Sequence, residues 1–490
     1  MAGNMFWIAM AWHSNVGGAV AVLSAEETGR RNGGNPPLIQ AHSGQLNDMA
    51  WNPFHDWMLA TAGSDGLAKV WKLPEAGLTA DTNEAVATLN GHGKRVDTLA
   101  WHPSAVNIIA TGGSDNTVKV WDITDASSGP KFTSSFFGDA VDSVSWNYDG
   151  SYLAAVSRDK KLRVFDPRTN SVFAEADAHG GAGKPQRVTW LGQHKLFTTG
   201  FSKTRDREFM FWDSRSMAKP LKTQTLDASP GALVPLWDND TSLLFLAARG
   251  DSTIRVMEVV DDAPFYYDLP PVFDKTPQRG ACILPKRACT VMSAEVVRLY
   301  RALNNTVIPI GFRVPRKHYQ DFWEELFPDT PGPEPAMSAA EYLAGENKSP
   351  IKVSLRPSDN PEASASSSAT ASTSSASAQA ASSSSADATP SSSNTSSPAV
   401  SRAPTRSGSV SQPRNIFDTK QQEEVVEYYT PKEVKVVRSS KYRHIAGKSA
   451  MKIHQYENMR VLSEAMRNRA IAGNREWIAV SWQGIGGRLG

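Results

Sequence analysis

The stretch GHGKRVDTLAWHPSAVNIIATGGSDNTVKVW, residues 91–121, decides the fold. A second stretch, AHSGQLNDMAWNPFHDWMLATAGSDGLAKVW at 41–71, aligns with it without a gap, and His42 stands 29 residues before Trp71 as His92 does before Trp121. Each unit reads as three strands. One ends at Trp51 or Trp101, the next is an apolar run, Leu59–Thr61 or Ile109–Thr111, and the third alternates as Thr117-Val-Lys-Val-Trp121 does. Alternation with period 2 marks a half-buried strand. Asn-Pro and His-Pro, then Ser-Asp-Gly and Ser-Asp-Asn, supply the turns between strands.

Working outward, an aspartate stands six residues before a large side chain five times: Asp65/Trp71, Asp115/Trp121, Asp159/Phe165, Asp206/Trp212 and Asp251/Met257. Their spacing of 44 to 50 residues is at or near the repeat of a four-stranded propeller blade. The fold class that follows is all-β: a seven-bladed WD-repeat β-propeller over residues 1–314, its surface built for binding. The chemistry of the period is structural. In the first two units His42, Thr61, Asp65 and Trp71, and His92, Thr111, Asp115 and Trp121, have the donors and acceptors for one buried hydrogen-bonded chain each. Such a network, fully satisfied, fixes a strand register. Later units decay: Phe165 stands for tryptophan and Gly138-Asp139 for the histidine. A sixth blade is expected near 276–303. The seventh is expected from 6–12 and 19–25 joined by 306–314, closing the ring and removing open edges.

From Pro315 the texture changes. Residues 315–357 carry a short amphipathic helix, a proline-rich turn and a second helix, with Phe322, Trp323, Leu326 and Phe327 too apolar for solvent. This extension is expected to pack on the propeller. Residues 358–437 are rich in Ser and Ala around 359–400, with too little apolar surface to offset the entropy of ordering. They read as a disordered linker, either a spacer or a set of phosphoacceptor serines.

Bulk properties exclude several classes. A net charge of +2 points to no nucleic-acid partner. No apolar run is long enough for a membrane-spanning helix, and the start lacks a signal-peptide pattern. The cysteines, Cys282 and Cys289, frame no disulfide scaffold, which fits a cytoplasmic setting. They have no histidine pair at zinc spacing, and no phosphate loop or catalytic motif is present, so no enzyme, metal or cofactor is expected. The repeating His–Asp–Trp spacing makes His42 and His92 structural rather than metal ligands.

Several stretches resemble coronins: residues 91–123, SRDKKLRVFDPR (157–168), FTTGFSKTRDREFMFWD (197–213), GDSTIRVMEV (250–259), PQRGACILPKRACTV (277–291) and, most specifically, VPRKHYQDFWEELFPDTPGPEPAMSAAEYLAG (314–345). The resemblance covers roughly residues 6–357. It implies a seven-bladed propeller with a packed C-terminal extension that binds actin filaments at the cell cortex. The alternative it carries is a WD-repeat scaffold in Golgi or vesicle traffic with little actin affinity.

Two departures matter. A segment that opens other coronins stands here near the end, as SSKYRHIAGK (439–448), YENMRV (456–461) and NREWIAVSWQGIGG (474–487). Trp477, Ile478, Ala479 and Trp482 repeat Trp7, Ile8, Ala9 and Trp12 at a constant offset of 470. Residues 438–490 therefore read as the truncated start of a second coronin unit, in a tandem two-propeller chain incomplete at both ends. A further expectation is that 441–482 dock back into the first propeller and supply its missing strands. Second, no heptad run supports a coiled coil. The family's actin-contact arginine follows a Tyr-Glu-x-x motif, which the resemblance carries to Arg460; an ordinary surface arginine is the alternative. Lys160 and Lys161, and the basic cluster Arg313–Lys317, are candidates for meeting acidic actin, against the reading of solvated faces.

Overall fold

The computed structural model describes residues 7–14, 17–24, 28–30, 36–75, 77–181, 183–316, 321–357, 440–457, 471–473, 478–480 and 482–483. The expected linker, 358–437, and Arg460 lie outside the described residues.

Five antiparallel four-stranded sheets follow one another along the chain. The first holds Leu46–Trp51, Met58–Gly63, Leu67–Lys72 and Ala87–Asn90. The second holds Val96–Trp101, Ile108–Gly113, Val118–Asp122 and Phe132–Ser134. The third runs from Val141–Trp146 to Ser171–Asp177, the fourth from Arg187–Leu191 to Lys222–Thr225, and the fifth from Leu233–Asp238 to Tyr266–Phe273. Middle strands such as Ile108–Gly113 and Leu243–Ala248 are buried throughout, because each sheet is covered on both faces by its neighbours. The outer strand Ala87–Asn90 alternates instead.

Two further blade sheets draw on distant parts of the chain. In the sixth, Gly280–Ile283 pairs with Glu295–Ala302, which pairs with Thr306–Arg313. Residues 306–313 therefore belong to the sixth blade and not to the seventh. The reason is local: a tight turn after Ala302 folds Thr306–Arg313 directly back on its predecessor, and adjacent strands in sequence tend to pair. The outer position is filled by Ala446–Ser449, antiparallel to Ile310–Arg313, and by Tyr456–Glu457, antiparallel to Thr306–Val307. Gly29–Arg30 then pairs in parallel with Tyr456–Glu457.

The seventh sheet is built on Trp7–Ser14, Gly17–Ser24 and Leu38–His42. Ile471–Gly473, Ile478–Val480 and Trp482–Gln483 add to the edge formed by Trp7–Ser14. The two copies of the repeated motif lie in parallel register, Ile8 opposite Ile478 and Trp12 opposite Trp482. The inner strands of successive sheets touch in order around the ring, and Ile471–Gly473 bridges Gly280–Ile283 to Leu46–Trp51. The described strands of 438–490 thus complete two sheets of the propeller that residues 7–313 build.

The extension crosses the blades. Its first helix is reduced to a 3-10 turn, Glu324–Leu326, and a true helix spans Ala339–Leu343. Ser338 caps that helix in a capping box with Glu341, satisfying its free amides. Leu326 and Phe327 pack with Phe312 and Leu299, and Thr330 donates to Asp240 at 2.7 Å. At the far end Tyr342 is fully buried. Its ring lies 4.5 Å from His102 and 6.0 Å from Trp146, with the Arg168 guanidinium 4.9 Å away over its face. Burial pushes the His102 imidazole down to about 3, so it stays neutral and accepts from the Ser104 and Ala105 amides.

Candidate interaction site

The histidines come from the ends of outer strands, and their partners come from the next blade. His42 closes Leu38–His42 of the seventh sheet; His92 follows Ala87–Asn90 of the first. His42 Nδ1 lies 3.0 Å from Asp65, its Nε2 lies 2.9 Å from Thr61 Oγ1, and Trp71 Nε1 donates to that oxygen at 2.9 Å. The second set has the same order: His92 to Asp115 at 3.0 Å, His92 to Thr111 at 2.7 Å, Trp121 to Thr111 at 2.8 Å. Each chain therefore staples two successive blades as well as fixing register inside one. Burial raises the Asp65 carboxyl, but the His42 hydrogen bond and charge and the Leu67 and Ser43 amides outweigh it and bring it down to about 2.

A third staple escaped the sequence reading. His179 follows the outer strand Ser171–Asp177 and meets Glu208 at 2.9 Å and Thr198 at 3.0 Å, and Trp212 Nε1 donates to Thr198 at 3.0 Å. The acid is Glu208, four residues before Trp212, and not Asp206; Asp206 accepts from Thr204 in the turn. The longer glutamate side chain reaches the imidazole from inside the strand, which is why the six-residue spacing misled. The 19-residue step from His179 to Thr198 matches that from His42 to Thr61 and would have found it.

Where histidine is absent, arginine takes its place. Asp159 pairs with buried Arg163 at 2.7 Å, which also meets Glu175 at 2.7 Å. Asp251 pairs with Arg207 of the preceding blade at 2.7 Å, and Arg207 is clamped by Asp227 at 2.6 Å. The later blades thus retain charged links beside their packing. The first-strand tryptophans add another: Trp101 Nε1 donates to Ala50 O, Trp146 to Ala100 O and Trp190 to Ser145 O, each on the preceding blade.

The two lysines of the candidate surface differ. Lys160 is exposed at a turn with φ of 72°, the position held by Gly66 and Asn116 in the first two blades. Lys161 lies at the start of Lys161–Asp166 and is engaged by Glu175 and Asp177. Of the cluster 313–317, Arg316 pairs with Glu325 at 2.7 Å and lies 4.6 Å over Trp323. Arg460 cannot be set beside them, being outside the described residues. Burial drives the Cys282 thiol well above its usual range and Cys289 up to about 12, which favours the thiol over the nucleophilic thiolate. Among the described residues, no group of three potential ligands could hold a metal ion.

The C-terminal segment is anchored at several points. Ser440 Oγ donates to Glu258, Lys441 Nζ to the Glu325 carbonyl, and Tyr442 and Ile445 are buried among Phe312, Leu326 and Leu355. Tyr456 is buried against Tyr300, ring centroids 6.2 Å apart.

Comparison with known proteins agrees with this architecture. Models of the WD domain, G-beta repeat, match residues 36–72, 83–122 and 130–166; a further type of WD40 repeat matches 307–350, and a domain of unknown function, DUF1899, matches 435–490. Coronin-A of Dictyostelium discoideum is 41% identical over 355 residues, 72% of this chain and 78% of its own. The chain belongs to the coronin family. The crystal structure of the WD40 domain from Toxoplasma gondii coronin superposes with a TM-score of 0.68 at 32% identity, covering 73% of this coronin and 91% of that domain. In this coronin the DUF1899 match holds the strands that complete the sixth and seventh sheets.

Proposed function

We propose that this coronin is a non-enzymatic protein that binds actin filaments and organises them at the cytoplasmic cortex. The observation that carries the reading is the 41% identity to coronin-A over 355 residues, 72% of this chain. The staples and inter-blade tryptophan bonds give a rigid platform, and rigid platforms lose little entropy on docking a large partner. Lys160 and Lys161 on the third blade, and Arg460, are the proposed contacts. Because Lys161 is held by Glu175, Lys160 is the stronger contributor of the two. The finer proposal is that the chain is of the tandem class, supported by the second copy of Trp-Ile-Ala at 477–479.

Co-sedimentation of the purified chain with actin filaments tests the main reading. Pelleting that weakens with salt and falls further in Lys160→Glu is expected. A chain that stays in the supernatant at low salt would remove it. Sequencing the transcript beyond Gly490 tests the tandem reading, which an immediate stop codon would remove.

A further inference from the structure

Ser440 is where the C-terminal segment first meets the propeller among the described residues. Its Oγ sits between both carboxylate oxygens of Glu258, at 2.6 and 2.7 Å, and accepts the Tyr442 amide at 3.0 Å. Glu258 belongs to Thr253–Val259 of the fifth sheet and is 9% exposed. One hydroxyl thus ties the segment to a buried acid and shapes the turn that sends Tyr442 and Ile445 into the core. Immediately beyond, Ala446–Ser449 covers the edge of Thr306–Arg313.

We propose that Ser440 is a phosphoacceptor site, and that its phosphorylation unlatches residues 440–457 from the propeller. The donor is ATP and the catalyst a protein kinase that reads basic side chains. Arg438, Lys441 and Arg443 flank the serine, and such residues pair with acidic kinase surfaces. In the transfer a bond forms between Ser440 Oγ and the γ-phosphorus. The bond from that phosphorus to the β,γ-bridging oxygen breaks, ADP leaves with the electron pair, and the hydroxyl proton passes to the kinase base. Ser440 is partly exposed, and local opening of the segment presents it to the kinase.

The product no longer fits. Phosphorylation removes the proton that Oγ donates and adds a charge of about −1.5 to −2 against the Glu258 carboxylate, where burial weakens solvent screening. The neighbouring cations are already engaged. Lys441 donates to the Glu325 carbonyl, Arg316 pairs with Glu325, and Arg443 donates to His444 at 3.0 Å. Release exposes the strand edge Thr306–Arg313, a template for pairing with another strand. The inference is independent of actin affinity.

The test uses the full chain treated with ATP and a basophilic kinase, with the modified residue mapped by mass spectrometry. Amide hydrogen exchange is then followed at 306–313 and 446–449, with 108–113 as the internal reference. Exchange in the first two segments is expected to rise about tenfold or more on phosphorylation, with the reference unchanged. Ser440→Glu should move it in the same direction by less, and phosphorylated Glu258→Gln should recover protection. Unchanged or slower exchange on phosphorylation would overturn the proposal. So would failure to modify Ser440 in both the native chain and Tyr442→Ala, in which the segment is loosened.

Discussion

The second blade and the sixth are both antiparallel blades at their centre but draw on different sources. All four strands of the second come from one continuous run, 96–134, and its staple, Thr111, Trp121 and Asp115 with His92, adds only the residue four places before that run. The sixth takes three strands from 280–313 and its outer strand from 446–457. Its cohesion comes from packing: Tyr442, Ile445 and Tyr456 are each under 5% exposed. A contiguous blade is held by a hydrogen-bonded relay that local spacing can encode. A composite blade needs apolar anchors strong enough to bring a remote segment home, and loop-closure entropy grows slowly enough with length to allow it.

The largest test of this contrast is removal of the remote segment. A chain of residues 1–439 should lose on the order of 6 kcal/mol, the gross burial of three large side chains, and its thermal midpoint should fall accordingly. Circular dichroism melts measure this, and an unchanged midpoint would break the idea that the sixth blade depends on its borrowed strand. Tyr442→Ala should cost about 3–5 kcal/mol in denaturant unfolding, as large-to-small changes in packed cores do.

In the contiguous blade the matching change is polar. Thr111→Val keeps the shape but leaves Trp121 Nε1 and His92 Nε2 without their shared oxygen. A loss of about 2–3 kcal/mol is expected from two buried unpaired groups. If the loss is under half a kilocalorie per mole, the relay is dispensable and packing dominates in both blades.

The smallest expected effect is on acid stability. The folded Asp65 carboxyl titrates at about 2, below its ordinary value of 3.8. A depressed carboxylate contributes its stability above the unfolded pKa and loses it as pH falls through the folded one. Asp65 should therefore contribute about 1–2 kcal/mol above pH ~4, lost between pH ~4 and ~2. Comparing Asp65→Asn with the native chain across that window measures it: the gap between them should close as pH falls. A gap that stays constant would show that the His42–Asp65 bond stabilises without its charge.

The sequence by itself determined the propeller, because the pattern behind it is local. Period-2 strands, Ser-Asp turns and a histidine 29 residues before a tryptophan all lie within single repeats, as His42 and His92 show. The third staple left a trace in the sequence, the 19-residue step from His179 to Thr198, but Glu208 hid it by answering the same need with a longer side chain. Tertiary structure alone decided the arginine substitute at Asp251, since Arg207 reaches across from the preceding blade, whereas Arg163 stands only four residues from Asp159. It also decided that Thr306–Arg313 closes the sixth blade's hairpin, and that 446–457 and 471–473 fill the outer place of one sheet and the inner place of another. The repeated Trp-Ile-Ala motif announced that the segment was strand-forming and like the chain's beginning. Which edge received it depended on the strands left unpaired in the folded ring and on the apolar pockets that accept Tyr442 and Tyr456, and neither exists until the blades are packed.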